Sequence, residues 1–399
     1  MKLLILASHP VQYHAPVFRG VSQRLAEAGH ECLVVYLSDF SIQGYRDAGF
    51  GTNVAWDEPL LDGYRSVVLN PNSTQQPQGF RGLKAPGWAN LLKKEQPTRL
   101  MVTTLNYQGA VSAVLQAKGR GIPATLRVET TDVSFPRSGV KQRGRAIAYR
   151  TLYSLFDSAI AFGHFSQAHL LAHGFSPSRV GLAQFSVPDR FEPLSPVEKT
   201  YLRQTLRHEL GFADDQTVIL FSGKLIPKKN PMLLLEAIAQ LSEAERQKIA
   251  VLYLGSGSLE ADLQAKAATL PDVTVHFAGF KNQQELPPYY LGADLFVLPS
   301  RRQGEVWGLV VNEALQAGLP CIVTDAVGCA PDFAAFPDFQ TIPEDSAADL
   351  ARAIAKQLHQ PRDFERFHLL MQSFSTEYAA KQIASFLLRM SNDSRTHGD

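Results

Sequence analysis

The sequence predicts an α/β protein of two Rossmann-like, doubly wound domains in tandem, and three observations lead there. The chain has 399 residues, more than one ordinary core absorbs and enough for two domains that each bury a full sheet. Short apolar, β-branched runs alternate with amphipathic segments of helix length, the rhythm of parallel β-α units. That rhythm stops in a proline- and charge-rich stretch, Ser186 to Gln216, and then begins afresh.

In the first half the strand candidates are Leu3 to Ala7, Cys32 to Leu37, Leu100 to Thr104, Ala124 to Val128 and Ala159 to Phe162, with helices expected at Pro16 to Ala28, Gly109 to Lys118 and Arg145 to Phe156. In the second half the strands are Val218 to Ser222, Val251 to Leu254, Val273 to Phe277, Leu295 to Leu298 and Cys321 to Thr324. Its helices are Met232 to Leu241, Leu259 to Ala268 and Leu309 to Ala317. The resulting division is residues 1–195, residues 196–375, and a C-terminal helix and tail, 376–399, expected to pack back toward the first domain. The charged end, Ser391 to Asp399, is expected to fray. Asn70 to Pro86 is rich in Pro, Gly, Gln and Asn and longer than a compact β-α unit needs, which reads as an acceptor-side loop or as a disordered insertion.

With 45% hydrophobic and 19% charged residues the chain is globular, neither disordered nor fibrous. Three cysteines, Cys32, Cys321 and Cys329, give neither a disulfide framework nor a paired metal spacing, which fits a reducing compartment. The apolar run in Met1 to Ala7 is shorter than a signal peptide's core and reads as a buried strand. No 18 consecutive apolar residues occur. A cytoplasmic location follows as the expectation, with at most a peripheral contact at the inner face of the membrane.

Net charge is only +1, but residues 1–195 hold 20 Lys and Arg against 13 Asp and Glu (+7), leaving 19 against 25 (−6) for the rest. A basic first half can attract anionic lipid or an anionic acceptor. Nucleic acid is not expected, because no recognition motif or aromatic-basic repeat accompanies the charge. Lys141, Arg143, Arg145 and Arg150 punctuate apolar Ile147, Tyr149, Leu152 and Leu155. Such a segment either rests on an anionic membrane or is a core-facing helix with a solvated basic face.

The segment that carries chemistry is Pro299 to Pro320, which follows an apolar strand and runs into an amphipathic helix. Backbone amides around Gly308, Leu309 and Val310 would stand free at the helix start, where they and the helix dipole bind phosphate oxygens. Glu305 and Glu313 lie eight residues apart, about 12 Å along a helix, so one carboxylate can serve each end of a diphosphate-linked ligand. A carboxylate accepts from two vicinal hydroxyls, which suits a ribose at Glu313 and a hexose at Glu305. A bare pair of this spacing is usually two solvated glutamates; its position after strand, Pro-Ser and Gly reverses the odds.

This segment resembles the Glu-x7-Glu signature of the retaining glycosyltransferases of the GT-B fold, family four, also called group 1, and the resemblance implies that the two domains face each other across a cleft. Further matches follow in order: Phe221 to Leu225 with Lys228-Lys229-Asn230, the turn Leu254 to Gly257, the turn Phe277 to Phe280, and the Gly-rich loop Asp325 to Asp332. The resemblance implies that Lys224 and Lys229 bind the diphosphate beside Gly223 and Gly255, that Phe280 lies by the base, and that Glu305 and Glu313 contact sugar and ribose. Trp307 belongs to the same loop and most simply packs under it.

The first domain departs from the family pattern. After its first strand it carries His9-Pro10-Val11-Gln12-Tyr13-His14-Ala15-Pro16, and where many relatives place a catalytic-side histidine it has Arg127-Val128-Glu129. Both segments fall at strand C-terminal ends, where open α/β sheets bind ligands, so His9, Tyr13, His14 and Arg127 are acceptor-side candidates. Glu129 stands in for the histidine or pairs with Arg127. The i, i+5 spacing of His9 and His14 is no standard metal pattern.

The expected function is transfer of a hexose-type sugar, with retention, from a nucleoside diphosphate sugar, a UDP-sugar foremost, to a glycan, lipid-linked or small-molecule acceptor. Glu305, Lys229, Lys224 and Glu129 would carry the catalysis. No Asp-x-Asp triplet occurs, so neither a metal nor a resident cofactor is expected. A nucleotide-sugar 2-epimerase and a catalytically silent nucleotide-sugar-binding subunit are the alternatives.

Overall fold

The computed structural model describes residues 1–396 apart from 43, 48, 50, 51, 55, 57, 74, 75 and 359. The first sheet contains β1 (Lys2–Ala7), β2 (Glu31–Ser38), β5 (Ser66–Asn70), β6 (Arg99–Val102), β7 (Ala124–Leu126), β8 (Ser158–Ala161) and β9 (Val180–Leu182), while β3 (Tyr45–Asp47) and β4 (Thr52–Val54) form a separate antiparallel pair. Its order is β5-β2-β1-β6-β7-β8-β9, and every pairing is parallel. The second sheet contains β10 (Thr217–Ser222), β11 (Ile249–Leu254), β12 (Thr274–Gly279), β13 (Leu295–Leu298), β14 (Cys321–Thr324) and β15 (Phe339–Ile342), ordered β12-β11-β10-β13-β14-β15 and parallel throughout.

Helices cover both faces of each sheet, which is why the central strands are unbroken apolar runs instead of alternating ones. Leu3 to Leu6 in β1 and Val218 to Phe221 in β10 are fully buried. The outer strands read differently. Ser66–Asn70 is half-exposed along its length and Phe339–Ile342 is buried only at its ends, so neither shows the apolar run that marks a central strand.

The helix expected at Arg145 begins at Gly139 and runs to Tyr153. Its first turns are exposed and carry no apolar stripe, so periodicity did not register them. The junction stretch holds a helix, Pro196–Glu209, opened by Ser195, whose hydroxyl accepts from the Glu198 amide while Glu198 bonds back. Arg203 and Arg207 of this helix pair with Asp294 at 2.6 and 2.9 Å, fastening it to the second sheet.

The last helix, Thr376–Thr396, lies on the first domain. Ala380, Ile383, Ala384 and Leu387 share a core with Leu3, Ile5, Phe18 and Val21. Residues Ser391 to Thr396, expected to fray, continue this helix; Arg99 Nε donates to Ser391 Oγ at 3.1 Å and Nη2 to the Met390 carbonyl at 2.8 Å. Residues 397–399 of that stretch lie outside the described residues. The chain thus passes between the domains twice, after β9 and again before Thr376.

The Asn70 to Pro86 loop, of which 74 and 75 lie outside the described residues, is tied down. Asp39 accepts from the Asn72 and Ser73 amides, and the Phe80 and Leu83 carbonyls accept from Gln108 and Gly109.

Candidate active site

In both sheets the chain reverses direction beside the first strand, between β1 and β6 and between β10 and β13, and at such switch points the loops diverge to leave a crevice. The two crevices face each other and form one cavity of about 930 Å³. Its first-domain wall is built from His9, Tyr13 and His14 after β1, Thr103 to Asn106 after β6, and Glu129 to Thr131 after β7. Opposite lie Gly223, Lys224, Lys228 and Lys229 after β10 and Gly304 to Val310 after β13.

Glu305 is 6% exposed and meets Lys229 Nζ at 2.6 Å, with Ser300 Oγ donating to the same oxygen at 3.2 Å. Burial alone would raise its carboxyl, but the Lys229 and Lys228 ammoniums outweigh it and hold the group below its ordinary range. Lys228 donates to the Gly304 carbonyl at 2.7 Å. Lys224 lies against Gly49, where an added Cβ would stand 2.8 Å from Nζ.

The helix Leu309–Gln316 starts after Gly308, whose φ is +97° and whose added Cβ would meet Val327 at 2.9 Å, so glycine is required there on both counts. The first-turn amides of Leu309 and Val310 have no carbonyl one turn back to bond, and both residues line the cavity.

Three donor-side candidates lie away from the cavity wall. Gly255 sits beneath Gly223; an added Cβ would approach the Gly223 carbonyl oxygen to 2.0 Å, so this glycine lets two turns stack and does not face the cavity. Phe280 is half-buried beyond β12, also outside the wall. Glu313 is buried one turn into the helix, where Tyr290 Oη donates to Oε2 at 2.6 Å and Oε1 has no hydrogen-bond partner among the described residues. Trp307 lines the cavity but is 3% exposed, and its Nε1 donates to Asn312 at 2.7 Å, so it buttresses the loop. The Gly-rich loop supports the same segment through Gly328 N to Glu305 O and Cys329 N to Trp307 O.

On the first-domain side Arg127 does not reach the cavity. Its guanidinium is buried over the Phe162 ring at 3.8 Å, its Nη2 donates to the Ala183 carbonyl at 3.5 Å, and burial lowers it to about 9. Glu129 faces the cavity, 3.8 Å from His14 Nε2. The surrounding walls raise its carboxyl against the pull of Arg127. Tyr13 Oη receives Gln283 Nε2 across the cleft at 3.4 Å.

His9 is packed on Phe40 and His14 is stacked on Phe185, and burial lowers them to about 4 and about 3 from an ordinary 6.5. Both are neutral near pH 7. Because the unfolded chain binds these protons first, stability is complete above pH 6.5 and falls as acid is added, by up to about 1.4 kcal/mol per pH unit for each ring. Urea titrations between about pH 7.5 and pH 5 are expected to show this slope, and His14→Phe to reduce it.

The sequence reading missed one cluster. Asp132, His169 and His173 converge beside the cavity, with Asp132 Oδ2 at 2.9 Å from His169 Nδ1 and 3.1 Å from His173 Nε2. The i, i+4 spacing of the two histidines on one helix was the available signal. Ser134, two residues beyond Asp132, reaches the second domain, its carbonyl accepting from Gly304 N at 2.8 Å.

Two parallel-sheet domains facing each other over a cation-lined cleft define the GT-B class. Residues 203–368, in the second domain, match the family described as glycosyl transferases group 1. A GDP-mannose-dependent monoacylated alpha-(1-6)-phosphatidylinositol monomannoside mannosyltransferase from Corynebacterium glutamicum is 28% identical over 245 residues, 59% of this chain and 58% of that protein. The chain therefore spans just over half the length of that curated relative. Among solved structures, Anabaena Alr3699/HepE in complex with UDP and glucose superposes with a TM-score of 0.68 at 19% identity, covering 98% of this chain and 100% of that one. UDP-GlcNAc 2-epimerase from Neisseria meningitidis, bound to UDP-GlcNAc, shares the fold with a TM-score of 0.59 at 16% identity, with 98% and 100% covered.

Proposed function

We propose that this protein is a retaining glycosyltransferase that moves a hexose-type sugar from a nucleoside diphosphate sugar, a UDP-sugar foremost, to a glycan or lipid-linked acceptor. The observation that carries this function is the pairing of Lys229 with buried Glu305 at 2.6 Å, beside the first turn of the helix Leu309–Gln316. When a donor enters, its diphosphate takes the place beside Lys229 and Lys224, and the amides of that turn add their dipole. Glu305, released from part of that pair, accepts from the sugar hydroxyls. The departing diphosphate is then stabilised by preorganised charge. The acceptor hydroxyl attacks from the face the diphosphate leaves, and its proton passes to a phosphate oxygen or to Glu129, whose raised carboxyl suits a proton acceptor.

Transfer from a UDP-sugar is expected to run equally fast with added Mg²⁺ and after its chelation, and NMR of the product is expected to show the donor's anomeric configuration. A rate that requires Mg²⁺ or Mn²⁺, or an inverted product, overturns the proposal. The fold likeness to the Neisseria epimerase supports a second function, nucleotide-sugar 2-epimerisation, which would reveal itself as an epimerised donor in the absence of acceptor.

A lipid-linked acceptor is supported by the helix Gly139–Tyr153, which carries Lys141, Arg143, Arg145 and Arg150 and no acidic residue. Val140 and Ile147 on it are 84% and 67% exposed, and Phe135 before it is 47% exposed. Apolar side chains standing among cations suit an anionic membrane surface better than water. No described helix is long and apolar enough to cross a membrane. Flotation with anionic liposomes is expected and flotation with neutral ones is not; binding independent of lipid charge counts against this contact.

A further inference from the structure

We infer that Asp132, His169 and His173 form a zinc site that fastens the Glu129-bearing loop of the first domain. The three ligand atoms lie within 4.8 Å of one another. His169 lies in the last turn of the helix His164–Ala172 and His173 caps its C-terminal end, with ring centroids 4.3 Å apart. Both ring nitrogens aim at a single carboxylate oxygen, at 2.9 and 3.1 Å. Two imidazoles and one carboxylate are the protein ligands of a tetrahedral Zn²⁺ that keeps a fourth position for water. Bonds of about 2.0 to 2.2 Å put tetrahedral ligand atoms roughly 3.3 to 3.4 Å apart, so the two contacts to Asp132 need to open by a few tenths of an ångström while the two imidazole nitrogens, within 4.8 Å of each other, settle to the same separation.

The surroundings suit an ion. His169 and His173 side chains are 1% and 9% exposed, which fixes the rings, whereas Asp132 is 43% exposed and leaves an entry path and room for the water. The far nitrogen of His169 meets Tyr153 Oη at 2.9 Å. A hydrogen bond there orients a metal-bound imidazole and selects its tautomer. The nearby cation, Arg145, is turned aside onto the Tyr149 hydroxyl and the Phe135 carbonyl. An ion at this point would tie the loop to the helix behind it. Through Ser134 the same loop touches Gly304 of the second domain at 2.8 Å, so the staple would set where Glu129 stands in the cleft.

The test is metal content, read on the full chain without any sugar nucleotide. Protein freed of metal, incubated with excess Zn²⁺ and passed through a desalting column is expected to retain one zinc per chain by mass spectrometry. Co²⁺ in its place is expected to give the strong visible absorption of a tetrahedral site. Asp132→Asn, at the exposed position, and His173→Gln are both expected to lose the retained zinc. Tyr153→Phe, which removes only the bond to His169, is expected to bind it about 10- to 100-fold more weakly. Wild-type protein that keeps no zinc overturns the inference and leaves a hydrogen-bonded cluster. Zinc retained equally by Asp132→Asn and His173→Gln overturns it too, because the ion then sits elsewhere.

Discussion

Lys229→Ala is expected to lower turnover about 10²- to 10³-fold, the loss seen when one preorganised donor to a developing anion is deleted. The effect should fall on kcat more than on KM, because the charge on the leaving diphosphate grows toward the transition state. A second consequence separates this role from simple damage. Glu305 is held low chiefly by Lys229 against the raising effect of burial, and without that ammonium only Ser300 and Lys228 remain, the latter already bonded to the Gly304 carbonyl. The carboxyl should rise, and the acid limb of the pH-rate profile should move upward with it. Lys229→Arg keeps the charge but not the compact ammonium and is expected to recover the pH profile better than the rate. Wild-type turnover in Lys229→Ala would remove this residue from the chemistry.

Glu313→Ala is expected to raise the dissociation constant of the cognate nucleoside diphosphate about 10- to 100-fold. Hydrogen bonds to a charged group contribute about 1.5 to 3 kcal/mol each, and tenfold in affinity is about 1.4 kcal/mol. The buried Oε1 without a partner among the described residues is the atom that a ribose hydroxyl would satisfy. Burial raises the Glu313 carboxyl, so its affinity for hydroxyl donors depends on keeping it ionised. Substitution also deprives Tyr290 Oη of its 2.6 Å acceptor. Calorimetry on Glu313→Gln, which still offers Tyr290 an oxygen, distinguishes the lost ligand contact from a loosened core. An unchanged constant in both variants would place the ribose elsewhere.

Central strands and the helix after Gly308 were legible in the sequence because each follows a local rule. β13 and β14 were placed to the residue, since a strand buried on both faces is a bare apolar run. Gly308 and the start of the helix at Leu309 were equally plain. The edge strands β5 and β15 were invisible for the opposite reason, being half polar and half exposed. Position relative to the cavity was harder still. Gly255, Phe280 and Glu313 share the motif order of the site, yet local order cannot say whether a residue points at a ligand or at the next turn. Arg127 looked like a cleft residue from its place after β7, but its guanidinium turns inward over Phe162. The Asp132, His169 and His173 cluster needed two segments far apart in sequence to be brought together, which only the folded chain supplies.

The twofold passage of the chain between its domains sets how they can be taken apart. The first domain is not built from the N-terminal half alone, because Ala380, Ile383 and Leu387, from the far end of the sequence, roof its sheet beside Phe18 and Val21. A gene truncated after the first crossing would make a sheet with one side bare. A protease that cut only that crossing would leave both fragments clasped, as a book with one torn hinge stays shut. Two crossings hold the domains together where one would leave them tethered at a single point, and the bonds from Gln283 to Tyr13 and from Gly304 to Ser134 mark where the facing walls touch.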